Sequence, residues 1–145
     1  MVEDRATKCS CRCDDQYERV IWLTYPAKRI NAFKDFEALS DINKRRFWKR
    51  FEYWTGGFPP NKEKHHGWDA PYKGCYVFKS DKHRLYGFLF RSPYGRNSEL
   101  CVVCIHAMKN EDNTNRTILD RLNEYQNDET IINAVLALKK RKDLL

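Results

Sequence analysis

Three segments between residues 74 and 106 have the composition of β-strands and constrain the fold more than any other part of the chain. They are rich in tyrosine, phenylalanine and valine, and turn-forming residues separate them. The run 80–82 is short enough for a hairpin loop, and a longer turn is expected at 93–97. Large apolar side chains occur at both odd and even positions of these strands, and alternate positions lie on opposite faces. We therefore expect both faces of the sheet to be largely covered. The sequence predicts antiparallel strands at 74–79, 84–91 and 100–106.

The segments on either side of these strands have mostly helical patterns. Phe47, Phe51 and Trp54 have the spacing of one helix face, and Ser40 is a suitable N-cap before them. Glycine at Gly56 and the next position can end that helix. The predicted elements are a strand at 17–25, helices at 27–39 and 40–54, a connection at 58–73, and helices at 115–125 and 129–142.

The chain of 145 residues is long enough for one domain with its own core, since 41% of its residues are hydrophobic. The order of elements predicts an α+β fold, in which an N-terminal strand and a helical hairpin pack on a short antiparallel sheet. Residues 1–16 are expected to form a flexible tail that contains cysteines, and residues 17–126 the domain. Residues 127–145 are expected to add a C-terminal helix to the same domain.

The charge of the chain favours a negatively charged partner. Its 27 lysines and arginines exceed its 20 aspartates and glutamates, which gives a net charge of +7. Such an excess attracts polyanions or acidic proteins over long range. No stretch approaches the roughly 20 apolar residues of a membrane span, and the N-terminus lacks the apolar core of a signal peptide. We therefore expect a cytoplasmic protein with no membrane partner and with reduced cysteines.

The cysteines near the N-terminus raise the question of a metal site. Cys9, Cys11 and Cys13 alternate with polar residues, and thiols at this spacing can bind zinc. A tetrahedral site needs another ligand, which His65 or His66 could supply. The paired CxxC motifs of common zinc sites are absent from this segment. The sequence therefore favours free thiols and no metal.

The other cysteines lie in predicted strands. Cys101 and Cys104 have CxxC spacing, but residues three apart in a strand lie on opposite faces of a sheet. Packing is therefore the favoured role for both, and Cys75 is most simply a core residue. The chain also lacks the motifs of P-loop nucleotide binders, serine hydrolases and zinc peptidases. No cofactor is expected.

Basic side chains crowd the predicted strands at 74–79 and 84–91 and their loops, and two more end or follow the predicted strand at 100–106. Phosphate transfer needs such groups, because guanidinium and ammonium ions stabilise the negative charge of the transition state. Histidine can move a proton near neutral pH, and tyrosines such as Tyr86 can stack on unpaired bases. The alternative is that these charges are ordinary solvated strand edges. The group comprises Lys79, Lys82, His83, Arg84, Arg91, Arg96, His106 and Lys109.

The amino-acid sequence of these strands resembles that of the RelE/ParE toxin superfamily, in particular its HigB-like, phage-associated branch. The segments that carry the resemblance are KGCYVFK at 73–79, HRLYGFL at 83–89 and LCVVCIHAMKN at 100–110. The preceding hairpin at 35–57 and the polar segment and helix at 113–122 are also similar. The resemblance covers residues 17 to 125, with loose motifs.

The resemblance implies the toxin of a type II toxin–antitoxin pair, and most such toxins cut mRNA on the ribosome without a metal. The ribose 2′-oxygen attacks its own 3′-phosphate, while the enzyme supplies a base, an acid and positive charge. By position, Arg84 and Lys109 are expected to stabilise the phosphate, and His106 to act as acid or base. The expected partners are a cognate antitoxin, mRNA and the ribosome. The expected substrate contacts are Lys79, Arg91, Tyr86 and Arg96.

Two other functions fit the basic strands. A ParE-like toxin would bind a protein target such as DNA gyrase and cut nothing. A catalytically silent relative would bind nucleic acid only. The pair His106 and Lys109 favours cleavage, because a pure binder has no need of a titratable group there.

Overall fold

In the computed structural model, the described residues are 7–14, 17–23, 32–59, 61–91, 98–109 and 114–133. They form an α+β fold, as predicted, in which helices cover a mixed β-sheet. The strands are β1 (Thr7–Asp14), β2 (Tyr17–Leu23), β3 (His65–Gly67), β4 (Cys75–Ser80), β5 (His83–Arg91) and β6 (Ser98–Met108). The helices are α1 (Ala32–Glu37), α2 (Asp41–Thr55) and α3 (Thr114–Asn127). Among these residues, no helix is long and apolar enough to cross a bilayer.

The strands of the sheet lie in the order β1-β2-β6-β5-β4-β3. Strands β4, β5 and β6 form the predicted antiparallel unit, with each strand slightly longer than expected or shifted by one residue. Strand β2 pairs with β6 in parallel, because the helical hairpin carries the chain across the sheet before the antiparallel unit begins. This topology places β5 near the centre of the sheet.

The helical hairpin covers one face of the sheet through an aromatic core. The Ser40 side chain accepts a hydrogen bond from the Asn43 backbone N–H (3.2 Å), so the predicted N-cap is confirmed. Gly56 caps the other end of α2. The core on this face, the hairpin core, comprises Ile21, Ala32, Phe36, Phe47, Phe51, Trp54, Tyr76, Phe78, Leu85, Cys101 and Val103.

Helix α3 covers the opposite face of the sheet, so the prediction that both faces are covered is confirmed. Its core, the α3 core, comprises Cys75, Val77, Tyr86, Phe88, Val102, Cys104, Ile105, Ala107, Ile118, Leu119, Leu122 and Ile131. Cys101 and Cys104 thus lie in different cores, as strand geometry predicts. Both are fully buried.

A β-bulge interrupts the pairing of β5 with β6. The register runs from Tyr86 opposite Ile105 directly to Gly87 opposite Val103, so Cys104 is an extra residue on β6. A Cβ atom on Gly87 would lie 2.5 Å from the Val102 carbonyl oxygen, which explains why glycine stands there. Because of the bulge, Cys104 and Ile105 both join the α3 core, and the alternation of faces along β6 shifts by one residue.

Two predictions for irregular segments are wrong. Residues Thr7–Asp14 form β1, which pairs antiparallel with β2, where a flexible tail was expected. The pairing provides partners for the backbone N–H and C=O groups of this segment. Its cysteines recur at every second position, which is the period of a strand. The expected connection at 58–73 contains β3, which pairs with β4.

Some predictions lie wholly or partly outside the described residues. These include the first part of the helix at 27–39, the turn at 93–97 and the last helix beyond residue 133. Residues 129–133 are helical. Helix α3 is confirmed and is longer than the predicted 115–125.

Candidate functional site

Positive charge converges on one face of the sheet, at the end where β4 turns into β5. Lys79 and Arg84 are direct partners across these strands, and Arg84 lies opposite Ala107 of the α3 core on β6. Helix α3 contacts the other end of β4, where the Cys75 thiol lies 3.8 Å from the Leu119 carbonyl oxygen. The side chains of Lys79 and Arg84 are therefore partly exposed on the face that α3 covers elsewhere.

The tight turn after β4 holds Arg84 in place. Asp81 has a positive φ of 54°, and its carbonyl oxygen accepts a hydrogen bond of 2.8 Å from Nη1 of Arg84. Nη1 also donates to the His83 carbonyl oxygen at 2.9 Å. These bonds use the Nη1 hydrogens. Within the part of the chain that the structure describes, Nε–H and the Nη2 amine make no further bond, and they form the edge that binds a phosphate in bidentate fashion.

Lys79 is fixed by contacts on both sides of its strand. Its Nζ donates to the Lys62 carbonyl oxygen (2.7 Å), and Nε of Arg50 on α2 donates to the Lys79 carbonyl oxygen (3.0 Å). Burial lowers the pKa of Lys79, and the charges of Arg84 and Lys109 lower this pKa further. The three cations therefore lie close enough to repel one another, which is typical of a surface that binds an anion.

His66 on β3 joins this cluster. It lies opposite Val77, so Lys79 is its diagonal neighbour on β4, within reach of a long side chain. Burial lowers the pKa of His66, and the charges of Lys79, Lys62 and Arg84 lower it further against the opposing effect of the Gly67 carbonyl. We call the set Lys62, His66, Lys79, Arg84 and Lys109 the basic face.

An open cavity of about 560 Å³ adjoins the basic face and shares Lys62 and His66 with it. Trp68 and Lys73 also line this cavity, with the carboxylate of Asp69 beside them. The rings of His66 and Trp68 lie 4.6 Å apart between centroids. The cavity therefore offers aromatic surface and positive charge side by side, the combination that binds single-stranded nucleic acid.

The structure changes the role expected of Tyr86. Its side chain is only 7% exposed, because it packs in the α3 core. Its ring stacks behind Trp68, with 6.2 Å between centroids and an angle of 24°. Tyr86 thus supports the aromatic wall, and Trp68 presents a ring to the cavity in its place.

His106 lies away from the basic face. It pairs with Leu85 of the hairpin core, whereas Arg84 pairs with Ala107 of the α3 core, so the structure does not bring His106 and Arg84 together. Nε2 of His106 is 3.0 Å from Nδ1 of His83, and Nδ1 of His106 is 3.6 Å from a carboxylate oxygen of Asp35 on α1. Both ring nitrogens of His106 therefore face partners within the protein.

The remaining residues predicted for the site fall into two groups. Lys109 is exposed, and its backbone N–H donates to the Lys82 carbonyl oxygen (2.8 Å) at the hairpin turn. Arg96 lies outside the described residues, and Arg91 ends β5 with a side chain that is outside them. Sequence reasoning missed Lys62 and Trp68 and considered His66 only as a zinc ligand. The segment HHGW at 65–68, which places a histidine close to a tryptophan, could have indicated His66 and Trp68 as site residues.

The buried thiols of the α3 core are poor nucleophiles. Burial, together with the charge of Asp120, raises the pKa of Cys75 to about 11. Burial also raises the pKa of Cys104. Both thiols stay protonated at neutral pH and act as core residues.

Comparisons with protein-family models, with curated proteins and with solved structures found no match to this chain.

Proposed function

We propose that this chain is the toxin of a type II toxin–antitoxin pair and a ribosome-dependent mRNA endoribonuclease. The resemblance to the RelE/ParE superfamily suggested this function. The order of elements from β2 onward supports the proposal, since a strand and a helical hairpin precede the antiparallel strands and α3 follows them. Strands β1 and β3 are additions to the expected pattern.

The basic face and the adjoining aromatic cavity carry this proposal. Arg84 and Lys79 offer positive charge to a phosphate, and Trp68 offers a surface on which the neighbouring base can stack. Cleavage would proceed by attack of the ribose 2′-oxygen on the 3′-phosphate. The bond from phosphorus to the 5′-oxygen of the next nucleotide would break. The products would be a 2′,3′-cyclic phosphate and a 5′-hydroxyl. The cations stabilise the charge that grows on the phosphate oxygens.

Induced expression followed by mapping of transcript 5′ ends tests this function. We expect growth arrest together with new 5′ ends in phase with codons. Growth arrest with intact mRNA and damaged DNA would contradict the proposal. An acidic antitoxin encoded with this chain should relieve the arrest, because the net charge of +7 favours such a partner.

One observation favours the alternative of a ParE-like toxin that binds a protein target such as DNA gyrase. The sheet separates His106, the acid or base expected from the resemblance, from the cations of the basic face. A surface that only binds has no need to bring these groups together. The mapping experiment distinguishes this alternative, because a toxin of this kind leaves mRNA intact. A catalytically silent relative would cause neither cleavage of mRNA nor growth arrest with damaged DNA.

Replacement of Trp68 by leucine is expected to weaken binding of single-stranded RNA by roughly tenfold or more. The leucine keeps apolar contact with Tyr86 but removes a stacking surface that is worth about 1–3 kcal/mol per base. Fluorescence anisotropy with a labelled oligonucleotide measures the affinity. Phe58→Leu is the matched control, because Phe58 is an aromatic residue that is 56% exposed and is not part of the cavity wall. Equal affinities for both variants would remove Trp68 from the RNA site.

A further inference from the structure

The hydrogen bond of the His66 ring determines which of its nitrogens can accept a proton. Nδ1 lies 2.9 Å from the Gly67 carbonyl oxygen, which can only accept a hydrogen bond. Nδ1 must therefore carry the hydrogen. In the neutral ring, the lone pair is then on Nε2, which is the form that a general base requires.

The position of this ring matches the needs of RNA cleavage. His66 lines the cavity next to Trp68, so it lies beside the expected place of a stacked base. Its diagonal neighbour Lys79 is paired with Arg84, so the cations that would bind the phosphate begin on the next strand. A nucleotide held at this junction would present its ribose between the base in the cavity and the phosphate on the cations.

We propose that His66, and not His106, is the general base of this site, an inference that rests on the proposed cleavage of RNA. Nε2 of His66 removes the proton of the ribose 2′-hydroxyl, and the 2′-oxygen forms a bond to the adjacent phosphorus. The bond from phosphorus to the 5′-oxygen breaks, and the leaving oxygen takes a proton from water. The imidazolium of His66 then returns its proton to solvent, so no proton is gained or lost overall.

The surrounding charges suit this role. Burial and the cations Lys79, Lys62 and Arg84 lower the pKa of His66, so the ring is neutral and ready to accept a proton at pH 7. Asp69 and Lys73 are the other charged groups of the cavity wall. His106 differs in that its ring nitrogens face His83 and Asp35 on the opposite side of the sheet.

His66→Asn is the most informative variant. The asparagine amide can donate to the Gly67 carbonyl as Nδ1 does, but it cannot accept a proton near neutral pH. We expect cleavage of ribosome-bound mRNA to fall by roughly 10²–10⁴-fold, the usual contribution of general base catalysis. Affinity for a 2′-O-methyl RNA, which cannot be cut, should stay near that of the unsubstituted protein. Lys49→Gln, at an exposed position on α2, controls for an unrelated surface change.

The dependence of cleavage on pH separates a catalytic role from a structural one. The unsubstituted protein should lose activity only below pH 6.5, the ordinary pKa of histidine, because the pKa of His66 is lowered. Lys62→Gln removes a nearby cation, raises the pKa of His66 and should move this loss of activity to higher pH. The ¹⁵N spectrum of the histidine rings should show an unprotonated Nε2 on His66 at pH 7.

The possible outcomes separate this inference from the proposed function. Cleavage by His66→Asn at the original rate and with the original pH profile would overturn the inference and leave the function standing. If cleavage by His106→Gln no longer fell at low pH, while His66→Asn still cleaved RNA, the base would be His106. A folded protein that binds RNA and cuts none of it would overturn both.

Discussion

Arg84→Ala is expected to abolish toxicity and to reduce cleavage of ribosome-bound mRNA by roughly 10²–10³-fold. Loss of one preorganised charge or donor at a developing anion has an effect of about this size. Arg84 is suited to this role because its turn contacts use only Nη1 and leave the Nε and Nη2 edge for phosphate. The rate of cleavage of a defined mRNA in purified ribosome complexes provides the measurement.

The fold of the Arg84→Ala variant needs its own control, because Nη1 of Arg84 also donates hydrogen bonds to carbonyl oxygens of the hairpin turn. The loss of these exposed or partly buried bonds should cost about 1 kcal/mol each, which a folded domain tolerates. Arg84→Lys keeps the charge but lacks the bidentate edge, and it should recover only part of the activity. Arg45→Ala, at an exposed position of α2, should be fully toxic. Full toxicity of a folded Arg84→Ala would exclude Arg84 from the site.

Gly87→Ala is expected to lower the free energy of unfolding by about 3 kcal/mol, the upper part of the usual range for overpacking. The added methyl group would meet backbone atoms of the neighbouring strand, namely the Val102 carbonyl at 2.5 Å and Val103 Cα at 3.0 Å. Backbone in the middle of a sheet cannot rotate away as a side chain can. Denaturation by urea, followed by circular dichroism, measures the change.

Gly67→Ala provides the comparison for this effect. A Cβ atom at Gly67 would first meet a side-chain atom, in the ring of its strand partner Tyr76, at 3.2 Å. Gly67 also lies on β3, at the edge of the sheet, where the backbone has more freedom to move. We expect a clearly smaller loss of stability than for Gly87→Ala. Equal losses would mean that the bulge does not determine the requirement for glycine.

Local patterns predicted most of the elements correctly. The spacing of Phe47, Phe51 and Trp54 and the cap at Ser40 depend on neighbours within one helix, and the structure confirms both. Strands β4, β5 and β6 were recognisable because their residues favour extended backbone. Strand β3 is only three residues long and carries no periodic signal, so pairing with β4 defines it.

The candidate site was predicted less well because it depends on register. With uniform pairing from Phe90 opposite Leu100 onward, alternation would place His106 opposite Arg84, on the same face. The extra residue Cys104 moves His106 to the other face and places Ala107 there instead. Nothing in the sequence around Cys104 marks a bulge apart from Gly87 on the partner strand. Trp68 was missed for a different reason, since it lies in a segment that looked like a connection.

The bulge also uncouples the content of each face from the length of β6. Deletion of Cys104 would give uniform pairing without any exchange of side chains between the faces, because Cys104 is the extra residue of the bulge. His106 would stay opposite Leu85, and Ala107 would stay opposite Arg84. Related chains that lack this residue would therefore present the same chemistry on the same face, although their strands are one residue shorter.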